Sequence, residues 1–105
     1  MSQAIFSCIF KLKKGKDRQE FLEVAKTLNN EYISKQKGYI SWEQCVDNET
    51  WADFIRFETM EDAQNFVANS ESPNEFAEKF YGFINMPSCK VNLFAVAKVH
   101  GGDSK

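Results

Sequence analysis

The chain has 105 residues, a formal net charge of −2 and 14% aromatic residues, including ten phenylalanines. This length corresponds to a single domain, which we predict over residues 1–100, and residues 101–105 form a polar tail that we expect to be flexible. Acidic and basic residues are interspersed, which argues against a nucleic-acid or membrane partner. The aromatic content predicts a second buried surface, such as a dimer interface, or an aromatic-lined pocket.

The cysteines and the histidine give no sign of a metal site. Cys8, Cys45 and Cys89 are far apart in sequence without a CxxC motif, and the single histidine is His100. Scattered cysteines in odd number predict reduced thiols in a reducing compartment. The N-terminus lacks the basic region of a signal peptide, and no stretch approaches the roughly 20 apolar residues of a membrane helix. We therefore expect a soluble cytoplasmic protein without a cofactor.

The first predicted elements are a strand, a turn and a helix. Apolar residues occupy both alternating faces of Ala4–Leu12, so both faces of this strand are expected to be covered. The turn follows at residues 13–16. Asp17 and Glu20 form a capping box that starts a helix, and the apolar periodicity continues to about Ser34.

A hairpin and a second helix follow. Tyr39–Val46 is the second predicted strand, and the short polar turn after it requires an antiparallel third strand that begins at Trp51. One face of the third strand carries Trp51, Asp53, Ile55 and Phe57, and the other carries Ala52, Phe54, Arg56 and Glu58. Thr59 caps the next helix, which extends to about Ser70.

The last predicted elements are a third helix and a fourth strand. Pro73 favours a helix start, so a helix is predicted from about Asn74 to Phe83. Its inner side would carry Phe76, Ala77, Phe80, Tyr81 and Ile84. Residues 85–87 are predicted to end this helix. Ser88–Val99 is predicted as the last strand, with Val91, Leu93, Ala95, Ala97 and Val99 on one apolar face.

The element order β-α-β-β-α-β predicts an α+β fold, a ferredoxin-like sandwich with one four-stranded antiparallel sheet and helices on one side. The uncovered face of that sheet would still be apolar. Because such a face is unfavourable in water, we expect it to pack on a second copy of the chain in a homodimer.

RNA-recognition motifs share this element order, and FIRF (54–57) superficially resembles their third strand. That motif requires a basic residue and a stacking aromatic where this chain has Thr50 and Ala52. The residues needed for RNA binding are therefore absent.

Three segments resemble the antibiotic biosynthesis monooxygenase (ABM) family. LKKGKDRQEFLEVAKTL resembles its strand-turn-helix opening, KGYISWEQCVD its entry to the second strand, and FIRFETMEDAQNF its third-strand signature. Lys37 replaces the usual proline of the second segment. The resemblance implies a dimeric α+β barrel with a hydrophobic pocket between the sheet and the helices of each subunit.

The resemblance also implies an activity, which is oxidation of a small aromatic or quinone-like molecule by molecular oxygen without metal or flavin. The alternative is a non-catalytic small-ligand-binding or assembly protein of the same fold. Haem-degrading members carry Asn, Trp and His at positions that correspond to Cys8, Phe57 and about Phe80. All three differ here, so haem degradation is not expected.

Seven residues are the candidates for contact with a ligand: Cys8, Trp42, Asp53, Phe57, Phe76, Phe80 and Tyr81. Asp53 and Arg56 project to opposite faces, and each is interpreted either as structural, with Asp53 near the rim and Arg56 in an interface ion pair, or as a group that orients a substrate. Cys8 has no activating neighbour in the sequence and is interpreted as a buried thiol. No buried carboxylate or histidine is apparent, so no catalytic residue is assigned. A cavity of roughly 300 Å³ or more with converging polar groups would favour an enzyme, and a pocket filled by Phe57, Phe76 and Phe80 would favour a non-catalytic protein.

Overall fold

The computed structural model describes residues 2–70, 72 and 74–101, so the predicted tail lies outside the described residues from position 102 onward. The strands and helices within these ranges are β1 (Ala4–Leu12), α1 (Arg18–Glu31), β2 (Tyr39–Asp47), β3 (Thr50–Phe57), α2 (Met60–Asn69), α3 (Glu75–Tyr81) and β4 (Ile84–Ala95). A short 3-10 turn at Ile33–Lys35 follows α1.

The four strands form one antiparallel sheet in the order β2-β3-β1-β4. This confirms the predicted ferredoxin-like βαββαβ fold. Helices cover one face of the sheet, here called the inner face. Phe10 of β1 contacts Phe21 of α1 and Phe80 of α3, and Phe6 contacts Phe66 of α2. These aromatic contacts attach each helix to the central strand of the domain.

Each helix begins with a side-chain cap that satisfies free backbone N–H groups. Asp17 accepts a hydrogen bond from the Glu20 N–H at 3.0 Å, and Thr59 accepts one from the Asp62 N–H at 3.0 Å. Both caps confirm the sequence-based prediction. Asn74 caps α3 by accepting from two N–H groups of its first turn. Pro73, which was expected to start this helix, lies outside the described residues.

The predicted boundary between α3 and β4 is wrong. The helix ends at Tyr81, and β4 begins at Ile84, where Ile84 pairs with Leu12 and is 2% exposed. The sequence had placed Ile84 on the inner side of the helix and the start of the strand at Ser88. The strand also ends earlier than predicted, at Ala95, so Ala97 and Val99, which were predicted on its apolar face, lie outside it.

A bulge in β4 explains why the first residues of this strand were not predicted from the sequence. The pairing with β1 shifts between Ile9 and Lys11, and Pro87 falls in the unpaired segment, where its missing N–H breaks no ladder bond. Ser88 repairs the gap, because its hydroxyl accepts from the Lys11 N–H at 2.9 Å and donates to the Asn85 carbonyl at 2.6 Å. Pro87 therefore lies at a bulge within β4 and does not mark the end of α3, as was predicted.

The core of the domain is largely aromatic. Phe21 is fully buried and packs edge-to-face on Trp51, with ring centroids 4.9 Å apart, and stacks on Phe80 at 5.0 Å. Arg18 lies over the Trp51 ring at 5.7 Å and covers its solvent side. These contacts hold α1 and α3 together above the sheet and fix the position of Phe80.

The face of the sheet opposite the helices, here called the outer face, is also rich in apolar side chains: Ile5, Ile9, Ala52, Phe54 and Phe94. Phe94 is 53% exposed and Ile9 is 41% exposed. Arg56 lies on this face and donates a hydrogen bond to Gln3 at 2.9 Å. In the single chain no helix of the described residues covers this surface.

Gly38 should be far less tolerant of substitution than Gly15, although both have φ near +82°. A methyl group on Gly38 would overlap the Asp62 carboxylate and lie 2.8 Å from Asp62 Cβ, whereas one on Gly15 would meet nothing within 4 Å. Positive φ alone costs an alanine about 1 kcal/mol, and overpacking adds about 1–3 kcal/mol. We expect Gly38→Ala to lower the free energy of unfolding by about 2–4 kcal/mol and Gly15→Ala by about 1 kcal/mol, measured by urea denaturation. Equal losses in the two variants would contradict the close packing of Gly38 on Asp62.

Candidate active site

A cavity of about 220 Å³ lies between the inner face of the sheet and the helices, and is here called the central cavity. Its walls are mainly apolar and include Phe6, Phe10, Leu28, Ile55, Phe66 and Phe80. Its polar lining consists of Cys8, Trp42, Asp53, Ser70, Tyr81 and Cys89. Apolar walls with a few polar groups are typical of small-molecule sites.

Strand register places the polar groups together. Asp53 of β3 is directly opposite Cys8 of β1 on one side and Gln44 of β2 on the other. Residues directly opposite each other in an antiparallel sheet project to the same face. The inner face therefore carries an amide, a carboxyl group and a thiol side by side across three strands, beneath the helices.

Asp53 is the most unusual group in the cavity. It is only 4% exposed, and burial raises the pKa of its carboxyl group from 3.8 to about 7. Gln44 and the Trp42 indole N–H favour the charged form and partly oppose this shift. The Gln44 amide nitrogen is 3.4 and 3.5 Å from the two carboxylate oxygens, so its hydrogen bonds are long. The expected position of Asp53 near the rim is therefore wrong, and the cavity does contain a buried carboxylate.

Trp42 supplies a hydrogen-bond donor without a partner. Its indole N–H is buried and makes no hydrogen bond within the part of the chain that the structure describes. The ring packs edge-to-face on Phe80, with centroids 5.7 Å apart. The indole acts on the Asp53 carboxyl, whose pKa it lowers, but does not reach it in hydrogen-bonding geometry. A buried donor left unpaired is costly, and such groups in native proteins often mark a site for a ligand or water.

The two thiols in the cavity are unreactive at neutral pH. Burial, followed by Cys89 and Asp53, raises the pKa of Cys8 to about 12. Burial also raises the pKa of Cys89, and a hydrogen bond with Cys8 partly offsets that shift. Since the thiolate is the nucleophilic form, neither group is suited to attack a substrate near pH 7.

The cavity opens to solvent beside α3 and β4. Tyr81, Met86 and Val91 line it and are 40%, 50% and 52% exposed. Burial raises the pKa of the Tyr81 hydroxyl, with further contributions from Cys8, Tyr32 and Cys89. Tyr81 therefore stays neutral at the entrance, where it offers a hydroxyl group to an entering molecule.

Five of the seven residues expected at the site line the central cavity: Cys8, Trp42, Asp53, Phe80 and Tyr81. Phe57 does not line it, because it is fully buried behind Phe66, with ring centroids 5.3 Å apart. Phe76 lies instead in a surface groove with Val24 and Lys79. The cavity is therefore not filled by Phe57 and Phe76.

Phe6, Phe66 and Cys89 are among the lining residues that were not singled out from the sequence. Phe6 and Phe66 belong to the apolar patterns of β1 and α2, and such a pattern does not separate a cavity wall from the core. Cys89 continues the inward alternation of Val91 and Leu93, which would have placed it on the inner face.

The described residues contain neither a metal-ligand cluster nor a membrane-spanning helix. No group of three or more histidine, cysteine, aspartate or glutamate side chains within these ranges is arranged to hold a metal ion. No helix within them is long and apolar enough to cross a membrane.

Comparison with solved structures identifies proteins of the same fold. SnoaB, a cofactor-independent oxygenase from Streptomyces nogalater, is 12% identical with a TM-score of 0.73, covering 94% of this chain and 97% of that chain. The monooxygenase ActVA-Orf6 from Streptomyces coelicolor, solved with nanaomycin D, is 15% identical with a TM-score of 0.73, covering 97% and 94%. A hydroxynitrile lyase from Passiflora edulis is 15% identical with a TM-score of 0.67, covering 95% and 98%.

No protein-family model matches the chain, and no curated protein matches it significantly. The sequence-based resemblance to ABM-type proteins is confirmed at the level of the fold. Because the shared fold includes a lyase as well as oxygenases, the activity must be argued from the cavity.

Burial of Asp53 should make the stability of the protein fall as pH rises. Between pH 4 and 7 the folded protein keeps a proton on Asp53 that the unfolded chain has lost, so ionisation opposes folding. A shift of about three units corresponds to about 4 kcal/mol at most. We expect Asp53→Asn to be about 2–4 kcal/mol more stable than the wild type at pH 8, and close to it at pH 4.5, by urea denaturation.

The exposed Asp47 provides a matched control, since Asp47→Asn removes the same charge outside the cavity. An Asp53→Asn effect that is the same at both pH values would contradict the raised pKa.

Proposed function

We propose that the protein is a cofactor-independent monooxygenase of the ABM type that acts on a small aromatic or quinone-like molecule in the central cavity. The observation that carries this proposal is a largely apolar cavity with a single buried carboxyl group, Asp53, whose pKa lies near 7. A pKa near the working pH suits a general acid or base. The fold shared with SnoaB and ActVA-Orf6 supports the same reaction class.

The lining of the cavity suits an electron-rich aromatic substrate. Phe6, Phe10, Phe66 and Phe80 provide aromatic walls for a flat ring. In a cofactor-independent reaction, one oxygen atom of O2 enters the substrate, and the other leaves as water after taking two electrons and two protons from that substrate. Removal of a proton makes the substrate easier to oxidise, and a buried carboxylate can accept it. Enclosure limits the access of water to the reacting molecule.

The alternative is a small-ligand-binding or assembly protein without activity. The volume of about 220 Å³ favours it, because this is below the roughly 300–1,000 Å³ of drug-sized ligand pockets. An engineered apolar cavity of about 150 Å³ holds benzene, so the central cavity has room for one or two rings. The alternative predicts binding of such molecules without any consumption of oxygen.

We further propose a homodimer formed by the outer faces of two sheets. Phe54 and Phe94 would then be buried against a second copy, which closes the two sheets into an α+β barrel. The central cavity of each subunit lies on the inner face of its sheet, opposite the proposed interface. Each subunit would therefore keep its own site. A reducing cytoplasmic location is proposed because all three cysteines are free thiols.

Oxygen uptake in the presence of small phenols, hydroquinones and naphthols tests the activity. We expect at least one compound to raise the melting temperature and to be consumed with O2, measured with an oxygen electrode. Cys8→Leu should reduce both effects roughly tenfold or more, because its larger side chain fills part of the cavity. Val46→Leu enlarges a side chain that is 41% exposed and does not line the cavity, so it should leave both unchanged.

If a phenol raises the melting temperature but no oxygen is consumed, the oxygenase proposal is contradicted and the ligand-binding alternative is supported. The absence of both effects across the panel would contradict the proposed function.

Light scattering at micromolar concentration tests the dimer. We expect the wild type to have twice the mass of one chain. Phe94→Asp should give a folded monomer, because it places a charge on the outer face. Val46→Asp puts the same charge on an apolar side chain that is 41% exposed and belongs to the inner-facing set of β2, so it should remain dimeric. A monomeric wild type would contradict the dimer.

A further inference from the structure

Two polar groups of the central cavity keep hydrogen-bonding capacity that the protein does not use. The Asp53 carboxylate has only the long contacts of 3.4 and 3.5 Å with Gln44, and the Trp42 indole N–H has no partner within the described residues. Of the other polar groups, Ser70 and the two thiols have partners, and the Tyr81 hydroxyl lies at the solvent-exposed entrance rather than beside Asp53 and Trp42. The Ser70 hydroxyl donates to the Val67 carbonyl at 2.7 Å, and the two thiols interact with each other.

The two unused groups are complementary to one hydroxyl group. A hydroxyl oxygen accepts a hydrogen bond, which Trp42 can supply, and a hydroxyl hydrogen can be donated to a carboxylate. Trp42 is opposite Ile55, and Gln44 is opposite Asp53. Trp42 and Asp53 are therefore diagonal neighbours on the inner face of the adjacent strands β2 and β3. The indole N–H lies close enough to Asp53 to lower its pKa, but it makes no hydrogen bond of good geometry within the described residues, so one hydroxyl group could contact both.

We propose that Asp53 and Trp42 form a pair that binds one acidic hydroxyl group of the substrate, with Trp42 donating to its oxygen and Asp53 accepting its proton. This inference rests on the proposed function in one respect, which is that the central cavity is the substrate site. It adds the residue that accepts the proton, the residue that stabilises the resulting anion and the chemical class of the group that is bound.

The step conserves atoms and charge. The O–H bond of the substrate breaks, a new O–H bond forms on the Asp53 carboxylate, and the negative charge moves to the substrate oxygen. That oxygen then accepts a hydrogen bond from the Trp42 N–H, and this bond stabilises the anion. No oxidant enters this step, and the proton returns by the same route when the substrate leaves unreacted.

The pair selects for acidic hydroxyl groups. A carboxyl group with a pKa of about 7 is some three units more acidic than an ordinary phenol, whose pKa is about 10. Transfer from such a phenol would therefore populate the anion only about once in a thousand complexes. Phenols or enols conjugated to an electron-withdrawing group are more acidic, so the transfer becomes balanced for them. The expected substrate is thus a one- or two-ring phenol or enol of this kind.

Among the described residues that line the cavity, no group other than Asp53 is charged near pH 7. The titratable residues that line the cavity are Cys8 on β1, Cys89 on β4 and Tyr81 on α3, and their raised pKa values keep all three neutral near pH 7. The lining residues from α1 and α2 are Leu28, Phe66 and Val67, which do not titrate. Proton uptake by the lining near neutral pH is therefore assigned to Asp53.

4-Nitrophenol tests the pair directly, since it has one ring and only its phenolate is yellow. 4-Nitroanisole, in which a methyl group replaces the hydroxyl hydrogen, is the matched probe that cannot donate. We expect the wild type to bind 4-nitrophenol at least tenfold more tightly than 4-nitroanisole and to increase the yellow fraction on binding. Asp47→Asn, at the exposed end of β2, should behave as the wild type does.

The two site variants should fail in different ways. At a pH below the pKa of free 4-nitrophenol, the probe bound to Asp53→Asn should have a smaller yellow fraction than the probe bound to the wild type, and the affinity for 4-nitroanisole should be unchanged. Trp42→Phe keeps an aromatic ring but loses the N–H, so its affinity for the phenolate should fall about tenfold. Circular dichroism of each variant checks that it is folded.

The outcomes separate the pair from the oxygenase. If phenolate formation depends on Asp53 but no compound causes oxygen uptake, the proposed Asp53–Trp42 pair is supported and the proposed oxygenase activity is contradicted. Oxygen uptake that survives unchanged in Asp53→Asn leaves an oxygenase and overturns the pair. Equal binding of the two probes to the wild type, or no binding of 4-nitrophenol, also overturns it.

Discussion

Burial of a single carboxyl group in an aromatic cavity is the constraint on which this structure depends. Asp53 is 4% exposed, and its nearest donor, Gln44, makes only long hydrogen bonds with it. A carboxylate that is removed from water without strong hydrogen-bond partners is destabilised. The carboxyl group of Asp53 therefore keeps its proton to unusually high pH. An apolar residue at this position would avoid that cost in stability. Perturbed acids of this kind cluster at functional sites, where stability is exchanged for reactivity.

The fold supplies the environment in which that constraint operates. The central position of β1 brings Cys8 opposite Asp53, and β2 brings Gln44 to its other side. Aromatic contacts then hold the helices above the sheet and leave a cavity between Phe6 and Phe66 at one end and Phe10 and Phe80 at the other. Since the fold is shared with oxygenases and with a lyase, the function of this chain has to be argued from these side chains and not from the fold.

Local signals in the sequence were sufficient for the element order, the bounds of β1 and the caps at Asp17 and Thr59, because alternation and capping depend on near neighbours. Alternation also placed Asp53 on the inner face. Its depth of burial could not be predicted, because it depends on how the helices pack over the sheet. The start of β4 was missed for a similar reason, since only pairing with Leu12 makes Ile84 part of a strand. Phe57 and Phe76 are aromatic like Phe80, and only the packed structure separates them from the cavity.

The account as a whole depends on the protonation behaviour of Asp53, because the proton-accepting role, the choice of substrate and the apolar character of the cavity all imply the same pKa. Carbon-13 NMR can follow the side-chain carboxyl carbon of Asp53 through a pH titration of the folded, ligand-free protein. The account predicts a midpoint of about 7. A midpoint near the ordinary value of 3.8 would show a hydrated carboxylate and would contradict it.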